Sequence, residues 1–438
     1  MDSNALIEHV TQQRWFGAKT RTVSHAEVLD SVVVRSVEPE LTLDLVGLTY
    51  DTGAHDIYQL FSGAEAEVAR ELLSAMRSTL KLLGTGGVID FHAVPDFRGA
   101  GFAQLSQDIG AGRLVSSEQS NSSVVFGEEL ILKVFRRLEP GINPELEVLR
   151  FLGEHGFTHA PALAGWYEYS GGPLNATLGL LQEFVAGAVD GWELALDEIA
   201  EAPERFLDRL PRLGEVTAQM HTALGSDASD PAFCPEEPSV EALALLTATV
   251  DEEIARVFIS LPEDDERLAP IVGRGEEVRE QLRFLTHAGS TGRVIRTHGD
   301  FHLGQTLVTG DDWVILDFEG EPARTITERR RKRSCLRDVA GMLRSFTYAA
   351  SSAELLRGAT VPPDWEDRAR WRFLESYLAN VDPTLLPAGD AAIERLLAVF
   401  ELEKAVYELR YELDNRPDWV GIPVAGIERL MHAATEAL

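Results

Sequence analysis

The spacing of hydrophobic and polar positions changes rhythm several times along the chain, and each change predicts a different element. Residues 1–24 hold a short amphipathic run that predicts a helix ending near Arg14-Trp-Phe-Gly-Ala-Lys19. Alternation of period two follows in residues 27–34 and 41–46, as expected for antiparallel strands whose side chains point to opposite faces in turn. A helical pattern over residues 64–83 is closed by the glycines at 84–87. Strand signals return at 113–116, 123–126, 130–135 and 178–182. One helix interrupts them: Asn143 suits its N-cap and Pro144 its first turn, where a missing N–H costs nothing. From Gly187 onward the pattern is largely helical, broken by short apolar runs around residues 294–316. These rhythms predict an α+β chain in three parts: a small α+β unit (1–93), a mostly antiparallel sheet with one helix (94–185), and a mainly helical region (186–438).

Composition narrows the classes. A chain of 438 residues with 45% hydrophobic and 25% charged residues has material for two or three cores. A formal net charge of −31 makes nucleic acid and anionic membranes poor partners and is compatible with a cationic small substrate. Cys234 and Cys335 are isolated, with no metal-ligand spacing, which points to a reducing compartment. Residues 1–10 lack the basic and apolar regions of a signal peptide, and no run reaches the ~18 apolar residues of a membrane span. The expectation is a cytoplasmic protein whose oligomeric state stays open, with a monomer favoured.

The chemistry concentrates in His298-Gly-Asp300-Phe-His302-Leu-Gly-Gln305 and in Val314-Ile-Leu-Asp317-Phe-Glu319, each beyond a short apolar run. Two carboxylates and a side-chain amide are what phosphoryl transfer from a nucleotide requires: one group to orient the attacking hydroxyl, others to hold Mg²⁺ against the phosphates. Asp300 is the candidate base, and Gln305 and Asp317 the candidate magnesium ligands. His298 and His302 lack a third ligand at zinc spacing and are read as shaping the loop; His302 is also counted with the acceptor-facing residues. Upstream, a polar loop around Gln119, Ser120 and Asn121 lies between two predicted strands and could cradle phosphates through its backbone. Lys133, within an apolar strand, either snorkels at an edge or is held by a partner. Glu145, on the helix face of Leu149 and Leu152, is that partner by preference, and Glu147 the second choice. Residues 182–185, with Glu183 and Val185, could offer backbone groups to adenine.

With these motifs in view, the chain resembles the aminoglycoside-phosphotransferase-like kinases, and within them the maltokinases and maltokinase-like sugar kinases. The resemblance rests on Arg14-Trp-Phe-Gly-Ala-Lys19, Glu118-Gln-Ser-Asn121, Ile131-Leu-Lys133, His298-Gly-Asp-Phe-His-Leu-Gly-Gln305, Asp317-Phe-Glu-Gly-Glu-Pro322 and Asn415-Arg-Pro417. It implies a bilobal protein-kinase-like fold with an N-terminal cap subdomain, an ATP-binding intermediate subdomain and a helical C-terminal lobe. ATP and Mg²⁺ are the implied cofactors, and Asp338 is implied to brace the catalytic loop. The implied acceptor site lies beside Asp300, on a late helix that presents Lys404, Tyr407, Glu408 and Tyr411 along one face. Glu412 and Asp414 add acid beside Glu408, which suits an ammonium group. The resemblance therefore implies a kinase for an amino sugar such as glucosamine, giving the 6-phosphate. Maltose phosphorylation, aminoglycoside phosphorylation and a non-catalytic binding protein are the alternatives. The basic run Arg329-Arg-Arg-Lys-Arg333 is expected to be a solvated loop, with an anion or partner site as the sharper option. Trp15-Phe16-Gly17 in the cap stays open between packing and lid roles.

Overall fold

The computed structural model describes residues 2–95, 97, 112–115, 121–262, 264–286, 292–322 and 324–436. The chain divides into two compact units, Met1–Gly187 with Pro322–Arg329, and Ala188–Glu321 with Arg330–Leu438.

In the first unit a helix, Ser3–Thr11, is capped by Asp2, whose carboxylate accepts the Ala5 N–H at 2.9 Å. Its Leu6 and Val10 join Trp15 and Phe16 against Tyr50, Tyr58 and Leu60 of the strands behind. Trp15 lies 5.8 Å from the Tyr58 ring, and the Arg136 guanidinium sits 5.3 Å above Trp15 and 4.7 Å from Phe61. Trp15 and Phe16 are therefore core residues, which decides for packing.

Four strands form one sheet in the order Val23–Arg35, Leu41–Tyr50, His55–Ser62, Arg137–Leu138. Seven form another, antiparallel throughout, in the order Lys81–Leu83, Gly87–Ala93, Leu163–Gly171, Asn175–Glu183, Leu130–Phe135, Asn121–Phe126, Arg113–Val115. Buried Gln59 ties the two sheets together. Its amide donates to the Phe135 and Leu178 carbonyls at 3.0 and 2.9 Å, and its oxygen accepts from the Tyr167 hydroxyl at 3.0 Å.

Several elements differ from the pattern-based expectation. The helix predicted over 64–83 ends as Glu65–Arg77, and Lys81–Leu83 is a strand paired with 88–90. Ladder hydrogen bonds there outweigh the helix preference of two leucines. The strands His55–Ser62, Gly87–Ala93 and Leu163–Gly171 were not predicted. Three consecutive residues, Tyr58–Leu60, are buried in the first, whereas Gly87–Ala93 and Leu163–Gly171 alternate only over a few residues, at Ile89 and Phe91 and at Tyr167 and Tyr169. Asn143 does cap the helix Pro144–Glu154, accepting the Glu145 N–H at 2.8 Å.

The second unit is mainly helical, with a small sheet of Val189–Asp190, Thr306–Thr309 and Asp312–Ile315. Its long helices include Pro203–Leu224, Leu336–Arg357, Trp365–Asn380 and Asp390–Asn415. One of its apolar cores joins Ile254, Leu268 and Val278 to Leu402, Leu409 and Ile427. The basic run is not the solvated loop expected. Arg329 pairs with Glu139 at 2.7 Å, Lys332 with Glu236, and Arg333 exchanges backbone hydrogen bonds with Ile295. Among the described residues no helix is long and apolar enough to cross a membrane.

Candidate active site

Loop geometry from His298 to Gln305 follows from a few anchors. Asp338, buried at the start of the helix Leu336–Arg357, accepts the His298 N–H at 2.7 Å and the Gly299 N–H at 2.9 Å. Gly299 has φ +88°, where a side chain would be strained. The His298 ring takes a defined tautomer: Nε2–H donates to the Leu316 carbonyl at 2.8 Å, and Nδ1 accepts weakly from the Asp300 N–H at 3.4 Å. His302 adopts the same tautomer, its Nδ1 accepting the Gly304 N–H at 3.1 Å. The neutral ring then carries its proton on Nε2, which lies 4.0 Å from Asp300 Oδ2. Burial holds the His302 pKa below its usual value despite Asp300 nearby. Ser345 accepts the Leu303 N–H at 3.0 Å. With both histidines engaged in this way, the loop backbone is pinned on either side of Asp300.

Asp317 follows directly from the anchor at Leu316. Its φ of +61° is a left-handed conformation that costs a non-glycine residue on the order of 1 kcal/mol or more. The Leu316 N–H donates to the Gln305 carbonyl at 2.9 Å, so Gln305 and Asp317 sit at the same end of the hairpin formed by residues 306–315. A carboxylate oxygen of Asp317 lies within 4.8 Å of one of Glu319. The Asp317 and Glu319 carboxylates and the Gln305 amide offer hard oxygen donors, a chemistry that fits magnesium and not a thiophilic metal. Glu319 was not among the ligands expected; its place two residues after Asp317 was the available signal.

In the first unit, Lys133 Nζ bonds Glu145 Oε2 at 2.8 Å, and both side chains are largely shielded. A lysine in the apolar strand Leu130–Phe135 requires such a partner, since burying an unpaired ammonium is costly. Glu147, the second choice, is buried as well, but the lysine pairs with Glu145. Asn121 opens the strand Asn121–Phe126 and is half-buried opposite Phe135. Gln119 and Ser120 lie outside the described residues. Glu183 ends its strand with its carboxylate accepting the Ala162 N–H at 3.3 Å, and Val185 follows, half-buried.

The late helix, Asp390–Asn415, separates its candidates. Lys404 Nζ comes within 3.4 Å of Asp300 Oδ1, so this pair is brought together. Burial alone would pull the Lys404 pKa down, but Asp300, Glu408 and Glu321 raise it, and it stays charged. Tyr407 lies beneath the ammonium, 5.4 Å from nitrogen to ring centre. Glu408 is buried and held by Arg344 Nη2 at 2.7 Å and Nε at 3.1 Å. Glu412, also buried, accepts from the Tyr348 hydroxyl at 3.2 Å and from Arg416 at 2.6 Å. Tyr411 and Asp414 are exposed. The expected cluster of free acids therefore needs correcting. Two of its members are neutralised by arginines, and Asp414 turns away from them, because six residues advance a helix by roughly 240°. Arg344, Tyr348 and Glu321 were missed because they come from another helix and a loop and no local pattern marks them. Arg416 was missed although it lies four residues after Glu412, the spacing at which an acid and a base meet on a helix.

A model of the phosphotransferase enzyme family matches residues 111–320, and one of the maltokinase N-terminal cap domain matches residues 9–96. A glucosamine kinase of Streptacidiphilus jiangxiensis is 30% identical over 329 residues, covering 72% of each chain. One of Mycolicibacterium smegmatis is 26% identical over 349 residues, covering 75% of this chain and 82% of that one. Among solved structures, a glucosamine kinase in complex with glucosamine, ADP and inorganic phosphate superposes with a TM-score of 0.72 at 21% identity, covering 97% of this chain and 98% of that one. A second crystal form of glucosamine kinase reaches 0.74 at 20% identity, covering 97% and 99%. The kinase-like fold with an N-terminal cap is thereby borne out, and this chain belongs to the phosphotransferase enzyme family, in the form that carries a maltokinase-type cap.

Proposed function

We propose that this protein transfers the γ-phosphoryl group of ATP to a hydroxyl of glucosamine, giving glucosamine 6-phosphate. The carrying observation is the pinned loop that presents Asp300 beside Lys404, in a chain 30% identical to a protein named glucosamine kinase. Asp300 accepts a hydrogen bond from the attacking hydroxyl and takes its proton as the new O–P bond forms and the bond to the ADP oxygen breaks. Lys404 offsets negative charge that builds beside Asp300. Gln305 and Asp317, with Glu319 close by, would hold magnesium, which when bound neutralises charge on the phosphates. Lys133, held by Glu145, contacts the nucleotide phosphates, and residues 119–121 and 183–185 contribute to its binding. The division into a cap (1–93), an ATP-binding part (94–185) and an acceptor lobe (186–438) belongs to the same reading, and the cap match at residues 9–96 supports its first boundary.

On the acceptor side, Tyr407, Glu408 and Glu412 line up with Lys404, while Tyr411 and Asp414 stand at the exposed margin. Purified protein with Mg²⁺-ATP is expected to release ADP fastest with glucosamine in a panel of glucosamine, glucose, N-acetylglucosamine, maltose and an aminoglycoside. A clear preference for maltose would replace the acceptor assignment. Wild-type turnover by Asp300→Ala would remove the assigned base.

A further inference from the structure

Behind the catalytic loop, three helices of the second unit meet around a buried polar chain with no direct part in the chemistry above. His221, on Pro203–Leu224, has no exposed surface. Its Nε2 lies 3.1 Å from Asp338 Oδ2, and its Nδ1 lies 2.9 Å from the hydroxyl of Tyr377 on Trp365–Asn380. Tyr377 is equally buried and stands edge-on to the imidazole at 5.7 Å. Beyond it, the Cys335 thiol is enclosed, and burial pushes its pKa up to about 12 although Tyr377 hydrogen-bonds it.

The donor and acceptor roles are dictated by Asp338. Its carboxylate already accepts two backbone N–H groups, and as an anion it can only accept. His221 must then present Nε2–H to it. In the neutral ring that leaves the Nδ1 lone pair, which the Tyr377 O–H fills. Oδ1 of Asp338 serves Gly299 alone, whereas Oδ2 serves both His298 and His221. Among the described residues, His221 is the side chain that hydrogen-bonds this carboxylate; its other two hydrogen bonds come from the loop amides it holds. The residue after those amides is Asp300.

We infer that His221 is a positioning residue of the catalytic loop: its Nε2–H, oriented by the Tyr377 hydroxyl, fixes the Asp338 carboxylate that holds the His298 and Gly299 N–H groups in place ahead of Asp300. This rests on the proposed kinase reading for its effect on rate, but not for its effect on the loop. The logic is that of a metal-bound histidine oriented by an outer hydrogen bond, with a carboxylate in place of the metal.

Glutamine can present its amide N–H near the position of the imidazole Nε2; leucine fills the space without a donor. His221→Leu is expected to lower kcat ~10- to 100-fold while the KM values for ATP and acceptor stay within about twofold, because a misplaced base slows chemistry more than binding. His221→Gln is expected to recover kcat to within roughly threefold of wild type, and Tyr377→Phe to fall between the two. Adding Tyr377→Phe to His221→Gln should cost nothing further, since the amide has no tautomer to select. Amide hydrogen exchange at residues 298–299 supplies a readout that does not depend on turnover: ~10-fold faster exchange is expected in His221→Leu and not in His221→Gln. Wild-type kcat and unchanged exchange in His221→Leu would overturn the inference. Equal losses in the leucine and glutamine variants, tracking Tm, would overturn it too. If wild-type protein turned over no acceptor, the kinase reading would fail, and the exchange result alone would decide the role of His221.

Discussion

The catalytic loop and the late helix Asp390–Asn415 both carry acids, but they manage them by opposite means. Asp300 keeps a partly exposed carboxylate because the backbone on both sides is tied elsewhere, to Asp338, Leu316 and Ser345. Glu408 and Glu412 are sunk into the fold, and their charges are met by Arg344 and Arg416. One region spends its hydrogen bonds on the main chain and leaves a side chain available. The other uses side chains to hold side chains. An acid of the first kind is placed for chemistry, whereas an acid of the second kind is compensated before any ligand arrives.

The sharpest break in this contrast is Asp300→Asn, which should preserve the fold and lower kcat by ~10²–10⁴-fold in an ADP-release assay. Activity close to wild type would place the base elsewhere. Next comes Arg344→Met, which strands a buried carboxylate; urea unfolding should show a loss of about 3–5 kcal/mol. An unchanged midpoint would mean Glu408 finds other partners. Lys404→Met tests the bridge between the two regions, with kcat expected to fall roughly tenfold or more at little cost in stability.

Acid pH probes the same contrast more gently. Burial alone would raise the Asp338 pKa, but His221, His298 and the Gly299 amide hold it below the usual 3.8. The folded state therefore binds fewer protons there than the unfolded chain. The stability it contributes is fully present above about pH 4 and is lost as pH falls through the depressed folded value. Urea midpoints between pH 5 and pH 3 should drop less steeply in Asp338→Asn, relative to its own neutral value, than in wild type. The smallest effect belongs to Asp414→Asn: exposed and apart from the compensated pair, it should change stability by no more than ~0.5 kcal/mol and leave the acceptor KM unaltered. A large rise in that KM would return Asp414 to the acceptor site.

This contrast also explains what could be read from the chain. The loop motif was legible because its parts lie within twenty residues: Gly299 for the turn, Asp300 for the chemistry, and Gln305 and Asp317 flanking the open end of one short hairpin. Asn143 and Pro144 were legible as a helix start for the same local reason. Lys133 in its apolar strand demanded an acid, and Glu145 lay in the first turn of the helix that follows in sequence. The compensation of Glu408 was not legible, since Arg344 is more than sixty residues away and chosen by packing. That of Glu412 was legible only in part, because Arg416 lies four residues on but Tyr348 is as remote as Arg344. Nor was Lys81–Leu83, where pairing with residues 88–90 reverses the local preference.

The seven-stranded sheet has a consequence for anyone who would cut this protein into parts. Its Gly87–Ala93 strand pairs residue by residue with Leu163–Gly171, so the cap supplies an inner strand of the sheet that carries Lys133. Removing residues 1–93 would not detach a module. It would bare a seven-residue row of backbone donors and acceptors, together with the unmatched amide-binding carbonyls of Phe135 and Leu178. Such an edge is a template for pairing with another chain, so a capless version should assemble into aggregates at concentrations where the intact protein stays dispersed.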